Sequence, residues 1–194
     1  HGLHHLLTQV TEPQVAGING VEWDAVELPS QFMENFCWEY SVIKNMSQHI
    51  QSGETLPKDL FDKMYKAKNF QSGMQCLRQV EFALFDFLAH CEFDPNQNQQ
   101  TLQDLIKQVR KEVAVIIPPE FNRFENGFSH IFAGGYAAGY FSYKWAEVLS
   151  ADAFESFLES GNALNAEIGA KFLQEILSVG GSRPAEQSFI AFKG

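Results

Sequence analysis

The sequence predicts an all-α protein with little or no sheet. Apolar residues recur at spacings of three and four in several separated stretches, the period of an amphipathic helix. Proline, glycine and Asx clusters fall at the junctions between those stretches, where they punctuate helices. Strict alternation over four or more residues, the mark of a half-buried strand, is absent except for a weak candidate over 17–21.

Taken in order, the opening HGLHHLL fits two helical turns. Residues 24–47 set Leu28, Phe32, Phe36, Tyr40 and Ile43 on one helical face. The start is expected near Asp24, with Pro29 in the first turn, where a missing N–H costs least. Ser52-Gly53 ends that pattern, and Pro57 introduces a short helix over 58–67. Residues 72–91 place Leu77, Val80, Leu84, Leu88 and Cys91 on one face, and Asp94-Pro95-Asn96 breaks the chain after them. A further amphipathic stretch over 100–116 stops at Pro118-Pro119. Helices over 137–158 and 163–178 are separated by Gly161, and Gly180-Gly181 closes the last one. The low-complexity tract Asn96–Gln100 is too short for a linker, so residues 1–194 read as a single helical domain.

Composition narrows the function classes. Hydrophobic residues make up 45% and charged residues 20%, a globular balance that excludes disorder as the main state. The 24 acidic and 14 basic residues give a net charge of −10. That leaves no basic footprint for nucleic acid, and an anionic membrane surface would repel it. No apolar run reaches the ~18 residues of a bilayer span. HGLHHLL lacks the basic n-region and cleavage site of a signal peptide. Cys37, Cys76 and Cys91 are odd in number, widely spaced and in no CxxC pair, which predicts a reducing compartment, the cytoplasm. Eighteen phenylalanines predict a bulky core, or surfaces covered by something outside this sequence.

Two segments carry chemistry. In the first, His1, His4 and His5 cluster within two turns, and Glu27 follows in the next helix. Imidazole nitrogens and carboxylate oxygens are zinc donors, usually four in all. His1 and His5 have the i, i+4 spacing of HExxH, but position 2 is Gly, so no general base stands between them. By themselves these histidines fit a frayed helix end as well as a metal site. Asp24, one turn before Glu27, and Glu34, two turns beyond it, are candidate acceptors that orient a ligand imidazole, or else solvated carboxylates. The second segment, 130–145, reads HIFAGGYAAGYFSYKW. Gly134-Gly135 interrupts any helix there, and Gly139 adds freedom. Tyr136, Tyr140 and Tyr143 recur at +4 and +3, which would put three phenols on one helical face. Such a stripe is either a core edge or a peptide-binding surface whose phenols stabilise an oxyanion. It is not a nucleotide loop, since GxGxxG after a strand and the Walker lysine are both missing.

HGLHHLLTQV followed by VEWDAVELPSQFMENFCWE resembles the zinc region of the thimet oligopeptidase family of metallopeptidases, whose signature reads H-E-F-G-H-G-x-H-H-L-L. FSHIFAGGYAAGYFSYKWAEV and NFQSGMQCLRQVEFALFDF resemble later blocks of the same family, so the likeness covers essentially all 194 residues. The resemblance implies the helical C-terminal catalytic portion of a zincin-type (gluzincin) oligopeptidase, a cytosolic zinc endopeptidase acting on short peptides. It makes His1 the second zinc-binding histidine and Glu27, within AVELPSQ, the third ligand. The first histidine and the catalytic Glu would precede His1, so the chain is expected to be truncated within the zinc motif and inactive alone. His4 and His5 match no ligand and are expected to pack or hydrogen-bond near the site. His130 matches the substrate-contacting His, Gly134 and Gly135 the mobile loop, and Tyr136 and Tyr140 the substrate-binding tyrosines. Tyr143 matches the tyrosine that stabilises the transition state. The expected cofactor is one Zn2+, and the expected partners are short peptides and the rest of the same protein, with no nucleic acid and no membrane. The rival expectation is a non-catalytic helical module whose tyrosine groove holds peptides without cutting them.

Overall fold

The structure, a computed structural model, describes residues 1–96 and 100–194. Most of the Asn96–Gln100 tract therefore lies outside the described residues. Among the described residues there is no strand, and the chain is helical, as its periodicity predicts. The helices are α1 (Gly2–Leu7), α2 (Leu28–Asn35), α3 (Tyr40–Met46), α4 (Lys58–Ala67), α5 (Ser72–Cys91), α6 (Leu102–Val113), α7 (Phe124–Gly127), α8 (Ser129–Phe132), α9 (Ser142–Glu159), α10 (Ala166–Phe172) and α11 (Ala185–Lys193). No helix among them is long and apolar enough to cross a membrane.

The described residues form two compact units. The first comprises residues 1–68 and 142–194. Its core joins Leu28 and Phe32 of α2 to Ala153, Phe154 and Phe157 of α9, and adds Phe172, Ile176, Leu177 and Phe192. Phe32 stacks on Phe172 with ring centroids 4.0 Å apart. The second unit, residues 69–141, packs Phe82 and Phe85 of α5 on Leu105, Ile106 and Val109 of α6, with Phe128 and Ile131. Phenylalanines thus dominate two separate cores, although Phe70, Phe121 and Phe132 are exposed. Thr101 starts α6 with a capping box: its hydroxyl accepts from the Asp104 N–H at 3.2 Å, and the Asp104 carboxylate accepts from the Thr101 N–H at 3.0 Å.

Several elements differ from expectation for identifiable reasons. The helix expected from Asp24 begins at Leu28. A start at Asp24 would require an N–H on Pro29 to bond the Ala25 carbonyl, and proline has none. Instead Leu28 N–H bonds Ala25 at 2.9 Å and closes a turn. The same stretch breaks again at Phe36–Trp38, a 3₁₀ turn, and at Glu39, which is extended (φ −100°, ψ 114°). The break keeps Phe36 edge-on to Phe154 and lets the Tyr40 ring reach Phe61, 5.3 Å away, while its hydroxyl donates to the Leu56 carbonyl at 3.1 Å.

The span of α5 is as expected, and Leu84 and Leu88 pack on the core, but the rest of the expected face does not. Leu77 (40% exposed), Val80 (38%) and Cys91 face outward, whereas Phe82 and Phe85 enter the core beside the buried Glu81 and Asp86. Those two carboxylates interrupt the apolar period and hide the true face. Glu81 is paired with Arg110 of α6 at 2.8 Å, so the charge is compensated inside.

The weak strand candidate at 17–21 is a turn, with Gly17 and Gly20 at φ 61° and 73°. Gly180-Gly181 does more than close a helix, because it lies backbone to backbone against that turn. A Cβ on Gly181 would fall 2.4 Å from the Asn19 carbonyl oxygen, and one on Gly180 would fall 2.7 Å from that of Val15. The chain then continues into α11, which follows Pro184 and was not expected.

Candidate metal ligands and substrate loop

Glu27 closes the turn before α2, at the N-cap position, and is only 3% exposed. Its Oε1 lies 3.1 Å from His1 Nε2 at the start of α1, and its Oε2 accepts from the Ser30 hydroxyl at 2.5 Å. The two expected ligands thus meet although 26 residues separate them. Two donors bonded to one zinc at roughly 2.0–2.2 Å in tetrahedral geometry stand about 3.4 Å apart, so this pair has the spacing and the atom types of a shared metal edge. Among the described residues no group of three or more His, Cys, Asp or Glu gathers to hold a metal ion. The fit is therefore to part of a coordination set. Ser30 was not anticipated, although its position three residues after Glu27, one turn along α2, was the available signal.

Asp24 and Glu34 are both exposed, the former in the turn before α2 and the latter on α2 itself. His5 is exposed, with its ring over Gly17: a Cβ there would sit 2.2 Å from Nδ1. His4 is 3% exposed, and among the described residues neither of its ring nitrogens has a hydrogen-bond partner. Burial, aided by His5, pushes its pKa from 6.5 down to about 4.

The glycine–tyrosine segment is not one helix. Residues 133–141 are loop and turn, and α9 starts at Ser142 rather than at 137. Gly135 (φ 84°) and Ala138 (φ 53°) are left-handed, which no helix through this segment would allow. The three phenols therefore do not share a helical face. Gly134 is fixed by close approach, since a Cβ would lie 2.9 Å from the His130 backbone oxygen. The Gly134 N–H bonds Ser129 at 2.6 Å and that of Tyr136 bonds His130 at 3.0 Å, folding the loop onto α8.

His130, exposed on α8, has its ring centroid 6.2 Å from Tyr136 and 6.0 Å from Tyr140. These three, with Gly134 and Gly135, form one aromatic cluster within the second unit. The Tyr140 hydroxyl donates to Gln79 Oε1 at 3.0 Å. Tyr143 belongs to the first unit, on the first turn of α9, where its carbonyl accepts from Gln31 Nε2 at 2.7 Å. Asp86 of α5 also reaches this loop, with His90 of the same helix hydrogen-bonded to it, and both were missed. The signal was an acidic residue inside the apolar run EFALFDFLAH.

The family model described as Peptidase family M3 matches residues 1–194. Oligopeptidase A of Salmonella typhimurium is 54% identical and that of Escherichia coli 55% identical over all 194 residues. The probable cytosolic oligopeptidase A of Arabidopsis thaliana is 46% identical over an alignment that also covers the whole chain. The chain spans 28% of the length of each of these relatives. With the family model matched from end to end, the chain belongs to peptidase family M3.

Proposed function

We propose that the protein is a zinc-dependent endopeptidase that hydrolyses short oligopeptides in the cytoplasm. The observation that carries this reading is the meeting of His1 Nε2 and Glu27 Oε1 at 3.1 Å, two zinc-type donors from distant segments. The names of the oligopeptidase A relatives support the substrate class, and the name of the Arabidopsis relative supports the location. In this reading His1 and Glu27 are two of three protein ligands, and Ser30 fixes the Glu27 carboxylate by donating to its other oxygen. The zinc, when bound, polarises the scissile carbonyl and activates the attacking water. His130, Tyr136 and Tyr140, with the Gly134-Gly135 loop, hold the peptide. Tyr143 donates its phenol proton to the developing oxyanion. Asp24 and Glu34 are assigned to orienting the ligand imidazoles. The third ligand and the general base come from residues beyond these 194, so the chain alone is not expected to cleave.

Glu27→Gln in the full-length protein tests the reading. A neutral amide is a poorer zinc ligand than a carboxylate, so metal content and peptidase activity should fall together. Full zinc occupancy with wild-type turnover in that variant would remove Glu27 from the ligand set and overturn the assignment.

A further inference from the structure

Asp86 stands in the middle of α5 with no exposed surface. A buried carboxylate is costly unless hydrogen bonds replace its lost water. Here the replacements come from the glycine–tyrosine loop. Oδ1 accepts from the backbone N–H of Ala138 at 2.8 Å, and Oδ2 accepts from that of Tyr140 at 2.9 Å. His90, one turn along α5, places Nδ1 2.9 Å from Oδ1 and 2.9 Å from the Asp86 carbonyl oxygen. Both neighbours are acceptors, so Nδ1 carries the proton.

The two loop amides flank Gly139, so one carboxylate grips the loop on both sides of it. Ala138 is held at φ 53°, a conformation that residues with a Cβ adopt only where the surroundings impose it. The bond from its N–H to Asp86 is such an imposition. Tyr140 is tied to α5 twice, through its N–H to Asp86 and through its hydroxyl to Gln79. Its ring then stands edge-on to His130, at 89°.

We propose that Asp86 is a positioning residue: its buried carboxylate sets the conformation of the 134–140 loop and, through it, the placement of Tyr136, Tyr140 and His130 for an extended peptide. The proposal rests on the reading of this loop as the peptide-binding element. It requires a charged side chain with two accepting oxygens, which the isosteric amide does not supply.

Asp86→Asn in the full-length protein keeps the volume and turns one acceptor into a donor facing an N–H. Amide hydrogen exchange over 134–141 should then speed up about tenfold or more. KM for a short quenched fluorescent peptide should rise about tenfold while kcat falls less than about threefold and zinc content holds. Ala138→Pro loosens the same loop from its own side, removing the N–H that donates to Oδ1 and forbidding positive φ, and should reproduce the KM effect. Wild-type loop exchange and KM in Asp86→Asn overturn the proposal. Should Asp86→Asn fail to fold, wild-type KM in Ala138→Pro overturns it. A wild-type protein that cleaves no peptide would instead defeat the peptidase reading, and the exchange measurement would still decide the role of Asp86.

Discussion

Tyr143 and Tyr136 sit in different backbone settings, and their expected kinetic roles separate accordingly. Tyr143 is on the first turn of a long helix, with its carbonyl fixed by Gln31. A phenol carried on a fixed helical backbone suits a donor aimed at charge that appears only in the transition state. Tyr143→Phe in the full-length protein should therefore lower kcat by about 10²–10³ with little change in KM. Tyr136 lies in the loop beside His130, which in the proposed function contacts substrate in ground and transition states alike. Tyr136→Phe should act mainly on KM, and more mildly. Unchanged kcat in Tyr143→Phe with a lowered melting temperature would return that residue to a structural role. His4 makes a prediction of another kind. Its folded pKa of about 4 lies below the ordinary 6.5, so the unfolded chain binds the proton more tightly. The associated stability is fully present above pH 6.5 and is lost as the pH falls toward 4. At 1.36 kcal/mol per pKa unit the loss is on the order of 3 kcal/mol. His4→Leu should flatten this part of the acid dependence, read from urea midpoints between pH 7 and pH 4.5. An equally steep profile in the variant would show that His4 is not its source.

Among the elements, the contact of Gly180-Gly181 with the 15–21 turn ties two segments that are far apart in sequence. A side chain there meets backbone, which has no rotamer to yield. Gly181→Ala should destabilise the first unit by about 3 kcal/mol, the upper range for forced overpacking, while leaving the second unit unaffected. A melting temperature equal to that of the wild type would mean that the turn moves away freely. Helix spans were legible wherever the signal was local. The limits of α4 and α5 follow from Pro57 at the entry of one and from the Asp94-Pro95-Asn96 break after the other. The stretch over 24–47 was not legible as three pieces, because its apolar spacing continues through Phe36 and Tyr40 although the backbone does not. The break serves rings that pack on α9 and α4, which no window of local sequence contains.

The molecule as a whole holds two aromatic cores, one in each compact unit. Truncating a buried phenylalanine typically costs about 3–5 kcal/mol, and that loss is felt first where the ring was packed. Phe32→Ala should raise hydrogen exchange in the helices of residues 1–68 and 142–194, and Phe85→Ala in those of 69–141. A uniform rise across both units from either substitution would show one cooperative body in their place. The all-α class, most helix spans and the likeness of HGLHHLL, AVELPSQ and the glycine–tyrosine segment to a metallopeptidase family were all readable from residue order. Period, caps and motifs are written within a few turns of chain, so no partner is needed to recognise them. Tertiary structure alone decided which face of α5 is buried, that residues 137–141 belong to the loop rather than to α9, and that Asp86 holds that loop. Each of these depends on compensating a buried group or filling a core with atoms that lie tens of residues away, and local sequence carries no record of that distance.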